Sequence, residues 1–194
     1  MSDDASEGKL VTTLSDTILL ERLRQGDEAS FEVLFYRHYD RIYGLLFRLL
    51  GNRTEAEDVT QELFLKLYKQ PLDGREDHNV SAWLYRAATN MAYNHIRSRN
   101  RRWQRNRILL PDMSDDPSDP AEAVVRNEAE AAVRAALLRL PERQSRLLLL
   151  RQMGLSYAEL AEVNDIAPGS VGKLLSRAAD NFREAYHKEQ EGRR

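Results

Sequence analysis

The chain has 194 residues, 42% hydrophobic and 31% charged, with a formal net charge of -2, an ordinary globular composition that excludes disorder throughout. Cysteine is absent, which excludes disulfides, thiolate metal sites and thiol catalysis. The acidic start MSDDASEGKLVTT is unlike a signal peptide, and no later run approaches the roughly 20 apolar residues of a membrane span, so a cytoplasmic chain without membrane insertion is expected.

Apolar spacing is helical along most of the chain, and no alternating strand pattern emerges. Residues 1–14 read as a disordered N-terminus. A short helix is expected near Thr17 to Gln25. Asp27 can cap a long helix in which Phe31, Leu34, Phe35, His38, Ile42, Leu45 and Leu49 recur at three- and four-residue steps, ending at Gly51-Asn52. Thr54 with Glu57 reads as a capping box, opening a helix to about Lys69 that Pro71 stops. Ser81 is expected to cap the next helix, SAWLYRAATNMAYNHIRSRNRRWQRNR. This stretch holds seven arginines and no acid.

Successive residues of a helix lie 100° apart, so Trp83, Arg86, Asn90, Tyr93, Asn94, Arg97 and Arg101 share one face, within roughly 80° of Arg86. The opposite face, through Leu84, Ala88, Met91 and His95, is expected to pack inward. A solvated arginine face has no need of interleaved aromatics and amides. A nucleic-acid face does: guanidinium groups hold phosphates, flat rings such as Trp83 and Tyr93 stack on unpaired bases, and amides read base edges. Stacking is sequence-tolerant and contributes about 1–3 kcal/mol per base, so the combination suits single-stranded or melting DNA better than intact duplex.

The segment PDMSDDPSDP, three prolines and four aspartates, reads as a flexible linker. An Ala-rich helical stretch from Ala121 to Leu140 follows, and Pro141 suits the first turn of the next helix, ERQSRLLLLRQ. In GLSYAELAEVNDIAPGSVGKLLSRAADNFREAY, Ser156 and Glu159 form a capping box for a short helix. Asp165 falls where a left-handed turn is needed, and a longer helix carries Val171, Leu174, Leu175, Ala178 and Phe182 on one face. Short helix, tight turn and longer helix make a helix-turn-helix. Its second helix would present Ser170, Gly172, Lys173, Ser176 and Arg177 to a DNA major groove. Gly172 weakens a helix interior by about 1 kcal/mol relative to Ala, a cost offset if DNA approaches closely there.

With both halves in view, the chain resembles the extracytoplasmic-function group of the sigma-70 family of bacterial RNA polymerase sigma factors. EVLFYRHYDRIYGLLFRLLGNRTEAEDVTQELFLKLYK is similar to the start of the family's region two, AWLYRAATNMAYNHIRSR to its promoter-melting helix, and LPERQSRLLLLRQMGLSYAELAEV to its region four. The resemblance implies an all-α fold of two small helical domains. Residues 15–108 would be a region-two bundle for polymerase binding and minus-ten melting, 109–124 an acidic linker, and 125–188 a region-four helix-turn-helix for the minus-thirty-five element, before a tail at 189–194. It also implies core RNA polymerase as partner, through the clamp helices of the largest subunit and the flap of the second-largest, together with promoter DNA and, as a candidate regulator, an anti-sigma factor. Asp58, Gln61, Glu62, Phe64 and Leu65 match the clamp-docking helix, with Phe64 expected as the anchor. Trp83, Asn90 and Asn94 match the residues that capture a flipped minus-ten base. Region four departs from the pattern: where GTVKSRLHRAR is common, this chain has GSVGKLLSRAA, and VND, Val163 to Asp165, replaces the usual apolar-Gly turn.

No catalytic residue, metal site or cofactor is expected. His38, His78, His95 and His187 are scattered, and no Gly-rich phosphate cradle is present. The alternative function is a stand-alone helix-turn-helix regulator of duplex DNA, which would have no use for the aromatic and amide residues of the arginine helix.

Overall fold

A computed structural model describes residues 14–72, 79–109 and 128–191, without side chains for 103–109 and 128. Residues 1–13 of the expected N-terminal segment 1–14, residues 110–124 of the expected linker 109–124 and the side chain of Trp103 lie outside the described residues. Every regular element described is helical. These are α1 (Asp16–Arg24), α2 (Glu28–Leu50), α3 (Arg53–Lys69), α4 (Val80–Leu109), α5 (Glu128–Arg139), α6 (Glu142–Gln152), α7 (Tyr157–Asn164), a 3-10 turn (Pro168–Ser170) and α8 (Val171–Glu191). The chain divides into two compact units, Met1–Phe47 with Asn52–Thr89, and Arg48–Gly51 with Asn90–Arg194.

In the first unit, Ser15 caps α1 by accepting from the Ile18 amide. Asp27 opens α2 as its acceptor oxygens require, taking the Ala29 amide at 3.1 Å and the Ser30 hydroxyl at 2.7 Å. The predicted core stripe of α2 is inward: Leu34, Ile42 and Leu45 are fully buried, and His38 nearly so. At the end of α2, Gly51 adopts φ +72°, the left-handed conformation that favours glycine.

Two predicted caps fall elsewhere. Asn52, not Thr54, caps α3, accepting the Glu55 amide at 2.9 Å. Asn side chains rank with Ser and Asp at this position, and Thr54 therefore sits exposed inside the first turn. Glu57 instead reaches Arg53, 3.1 Å away. Likewise Asn79, not Ser81, opens α4, accepting the Ala82 amide at 3.1 Å.

In the second unit, α8 packs against α5, α6 and α7. Ala136, Leu140 and Ala185 form a buried cluster extended by Leu148, Phe182 and Tyr186, the side of α8 whose apolar residues recur at helical spacing. The capping box of α7 is complete: Ser156 Oγ accepts the Glu159 amide at 3.2 Å, and Glu159 accepts the Ser156 amide at 2.7 Å. After α7, Asp165 turns the chain with φ 52° and ψ 58°. Among the described residues no helix is long and apolar enough to cross a membrane.

Candidate polymerase and promoter interfaces

Asp58, Gln61, Glu62, Phe64 and Leu65 line one groove of about 550 Å³, together with Phe31, Phe35 and Tyr68. Helical spacing brings the α3 residues to one side, and Phe31 and Phe35, the first members of an aromatic series on α2, supply the opposite wall. Phe31, Phe35, Tyr39, Tyr43 and Phe47 follow at four-residue intervals, each ring within 6.2 Å of the next. Sequence reasoning missed this wall, although its signal was legible: aromatics every four residues lie along one helix flank.

Phe64, the expected anchor, lines this groove from beneath. It is 1% exposed and meets the Phe35 ring edge-on at 4.9 Å, so it forms the floor of the groove and part of the core. Leu65, 49% exposed, and the exposed Gln61, Asp58 and Glu62 form the accessible rim. Tyr68 stands at the far end, its ring 5.0 Å from that of Phe31 and its hydroxyl donating to Glu28 at 2.9 Å. That hydrogen bond to a carboxylate raises the Tyr68 pKa, because the ionised phenol would face a negative charge.

On α4, Arg86, Asn90, Asn94, Arg97 and Arg101 are all exposed, a stripe stepping by four, four, three and four residues as a helix demands. Trp83 is half-buried at its start. Tyr93 departs from the expectation: only 6% is exposed. The buried stripe runs through Leu84, Tyr85, Ala88, Ala92 and Ile96, and Tyr93 lies on its margin. Burial is the main cause that raises the Tyr93 pKa, with Ser145 and Arg146 acting against it and Glu142 adding to it. Among the described residues the Tyr93 hydroxyl makes no hydrogen bond of good geometry, and the nearby Ser145 hydroxyl donates to the Leu137 carbonyl.

Asn90, Asn94 and Arg97 carry polar contacts within the second unit. Arg97 donates to Glu142, and to Asn94 Oδ1 at 2.6 Å. Arg146 Nη1 lies 3.4 Å from Asn90 Oδ1. His95, expected at a core edge, is half-buried.

The helix-turn-helix leaves Ser170, at the end of the 3-10 turn, exposed, and places Lys173, Ser176 and Arg177 on the exposed side of α8. Gly172 is half-buried, and a Cβ added there would lie 3.7 Å from the Tyr157 ring. That is ordinary contact, so nothing among the described residues demands glycine. Leu174 and Leu175, read as core, are only half-buried; Val171 and Ala178 hold the fully buried positions of that turn. Tyr157, whose ring lies beneath the Arg151 guanidinium at 5.5 Å, adds an exposed aromatic that the spacing argument overlooked.

Against known families, residues 34–102 match Sigma-70 region 2 and residues 130–180 match Sigma-70, region 4. The chain is 35% identical to the RNA polymerase sigma-H factor of Pseudomonas aeruginosa, covering 88% of this chain and 93% of that protein. It is 33% identical to the ECF RNA polymerase sigma-E factor of Haemophilus influenzae, covering 86% and 93%. Among solved structures, CnrH in complex with the cytosolic domain of CnrY has a TM-score of 0.62 at 20% identity, covering 87% of this chain and 95% of that one. The sigma factor RpoE in complex with the anti-sigma factor NepR from Bartonella quintana has a TM-score of 0.54 at 20% identity, covering 80% and 95%. At such identity these two likenesses show the shared helical fold.

Proposed function

The chain belongs to the extracytoplasmic-function group of the sigma-70 family, a non-enzymatic factor of transcription initiation, and from that premise we propose how its residues divide the work. Residues 15–108 act as the polymerase-binding and promoter-melting domain and residues 125–188 as the minus-thirty-five domain. The groove between α2 and α3 receives the clamp helices of the polymerase largest subunit: Leu65 and Tyr68 supply apolar contact, while Asp58, Gln61 and Glu62 pair with polar groups at its rim. Apolar groove with polar rim is the usual anatomy of a protein interface. The second domain meets the flap of the second-largest subunit and the promoter.

The observation that carries the DNA reading is the exposed stripe Arg86, Asn90, Asn94, Arg97 and Arg101 on α4. Arg86, Arg97 and Arg101 hold minus-ten phosphates, Asn90 and Asn94 hydrogen-bond an unpaired base edge, and Trp83 stacks where the helix begins. Tyr93 serves this face only after its buried ring becomes accessible, so it ranks behind Trp83. Ser170 of the 3-10 turn and Lys173, Ser176 and Arg177 of α8 read or hold the minus-thirty-five element, with Gly172 admitting close backbone approach. The stand-alone duplex regulator is set aside because both sigma regions match and the relatives align along nine-tenths of their length. An anti-sigma partner is consistent with the structural neighbour RpoE, crystallised with the anti-sigma factor NepR.

The test is transcription with purified core polymerase on start sites mapped across a genome. Asn90→Ala and Trp83→Ala are expected to bind duplex promoter in the closed complex nearly as the parent does but to lose permanganate reactivity of the minus-ten thymines. Full opening of linear duplex promoter by both variants would remove the single-strand role of this face.

A further inference from the structure

We propose, resting on the assignment of α7 and α8 to minus-thirty-five reading, that Arg143 and Arg146 are positioning residues that hold recognition helix α8 in place by bracing the turn at Asn164 and Asp165. Two features make this turn unfavourable on its own. Asp165 is the only non-glycine residue with positive φ among the described residues, a conformation that crowds its Cβ against the following carbonyl. Asn164 is 4% exposed, so its amide must find partners inside the protein or remain buried without them.

Helix α6 supplies what the turn lacks. Arg146 Nε donates to Asn164 Oδ1 at 2.9 Å, and Asn164 Nδ2 donates to the Leu160 carbonyl at 2.8 Å, so both ends of the buried amide are engaged. Arg143 Nη2 approaches the carbonyl oxygens of Asn164 and Asp165 at 3.4 and 3.5 Å. Those carbonyls lie at the C-terminal end of α7, where helical acceptors are left over and a cation is favoured. The backbone closes over the same point, the Ile166 amide donating to the Ala161 carbonyl at 3.0 Å. From here the chain enters the 3-10 turn and α8, so the direction of α8 depends on this junction. An apolar-Gly turn would need no such support. Here the turn is polar, and the two arginines make the angle between α7 and α8 a property of α6.

The experiment uses the full chain in holoenzyme on a mapped promoter and on the same promoter with its minus-thirty-five element scrambled. The ratio of transcripts from the two templates is expected to fall five- to tenfold in Arg146→Ala and Asn164→Ala, with output from the scrambled template unchanged. Replacing the turn by Asn164→Leu with Asp165→Gly should make a further Arg146→Ala nearly silent, within about twofold. Arg146 also lies near Asn90, so its effect should persist in an Asn90→Ala background on a pre-melted template. Hydrogen exchange of the free chain supplies a readout without DNA: the amides of Asp165 and Ile166 should exchange at least tenfold faster in Arg146→Ala, and those of α5 should not. An unchanged ratio in Arg146→Ala, or an equal loss in the replaced-turn background, overturns the brace. If scrambling has no effect even on the parent, the minus-thirty-five assignment fails instead, and unchanged exchange at Asp165 and Ile166 would then overturn the brace by itself.

Discussion

Asp16 ties the first turn of α1 to α2 by accepting from Arg37 and, at 2.7 Å, from His38. Burial by itself would raise its pKa, but the hydrogen bonds and charges of His38 and Arg37 hold it below the usual carboxylate value. A depressed folded-state pKa means that the unfolded chain binds the proton more tightly. The contribution is therefore complete above the unfolded pKa and is lost as pH falls through the folded one. Asp16→Asn should destabilise the chain by about 1 kcal/mol near neutral pH, and the difference should shrink toward zero in acid below the folded pKa, as read by denaturant titration at both pH values. A pH-independent difference would mean that the contact acts by packing rather than charge. At the groove, Phe64→Ala should cost about 3–5 kcal/mol of stability because a buried ring leaves a cavity. Leu65→Ala, on the exposed rim, should leave stability within about 0.5 kcal/mol yet weaken core-polymerase binding about tenfold. Equal core affinity of Leu65→Ala and the parent by fluorescence anisotropy would place the clamp elsewhere.

At the scale of elements, caps and turns explain where helices begin. The Ser156 and Glu159 box satisfies two otherwise unpaired amides at the start of α7, so Ser156→Ala should lower stability by about 1 kcal/mol. In α8, Gly172 has no steric reason of its own, since only the Tyr157 ring would meet a new Cβ. Gly172→Ala should therefore raise helix stability by about 0.5 kcal/mol, seen as a higher melting temperature. If DNA approaches the backbone there, the same substitution should reduce minus-thirty-five-dependent transcription. A more stable variant with unchanged promoter selection would remove Gly172 from the DNA surface.

For the whole molecule, near-neutral net charge conceals a division of labour. The cations proposed to hold DNA lie together on α4, while the acidic groups Asp58 and Glu62 stand beside the aromatic groove. Salt should distinguish these surfaces. Replacing Arg101 or Arg102 by Ala should weaken promoter binding at every sequence and reduce the slope of log affinity against log salt by about one counterion. Asn90→Ala should leave that slope unchanged, because an amide releases no counterion. A salt slope equal to the parent's in both arginine variants would show that these side chains do not reach phosphates in the complex.

The helices were legible because apolar residues recur at helical spacing from Leu34 to Leu49 and from Val171 to Ala178, and that pattern is a local property of the chain. The exposed series Arg86, Asn90, Asn94, Arg97 and Arg101 was legible for the same reason, as was the left-handed turn at Asp165. Cap identity was less so: Asn52 and Asn79 compete with Thr54 and Ser81 for the same free amides, and one or two residues decide the outcome. Depth was not legible at all. Helical angle places Phe64 and Tyr93 near the margin of a face, but whether such a residue is floor or rim depends on the neighbour that covers it. Phe35 covers Phe64, and Tyr93 is buried beside Ser145, far along the chain. The brace at Asn164 is of the same kind, since Arg146 stands 18 residues before it and no periodicity joins the two. Local spacing thus determined the helices and the chemistry of their faces, whereas burial and long-range hydrogen bonds, which exist only once helices pack, decided which of those residues are available to a partner.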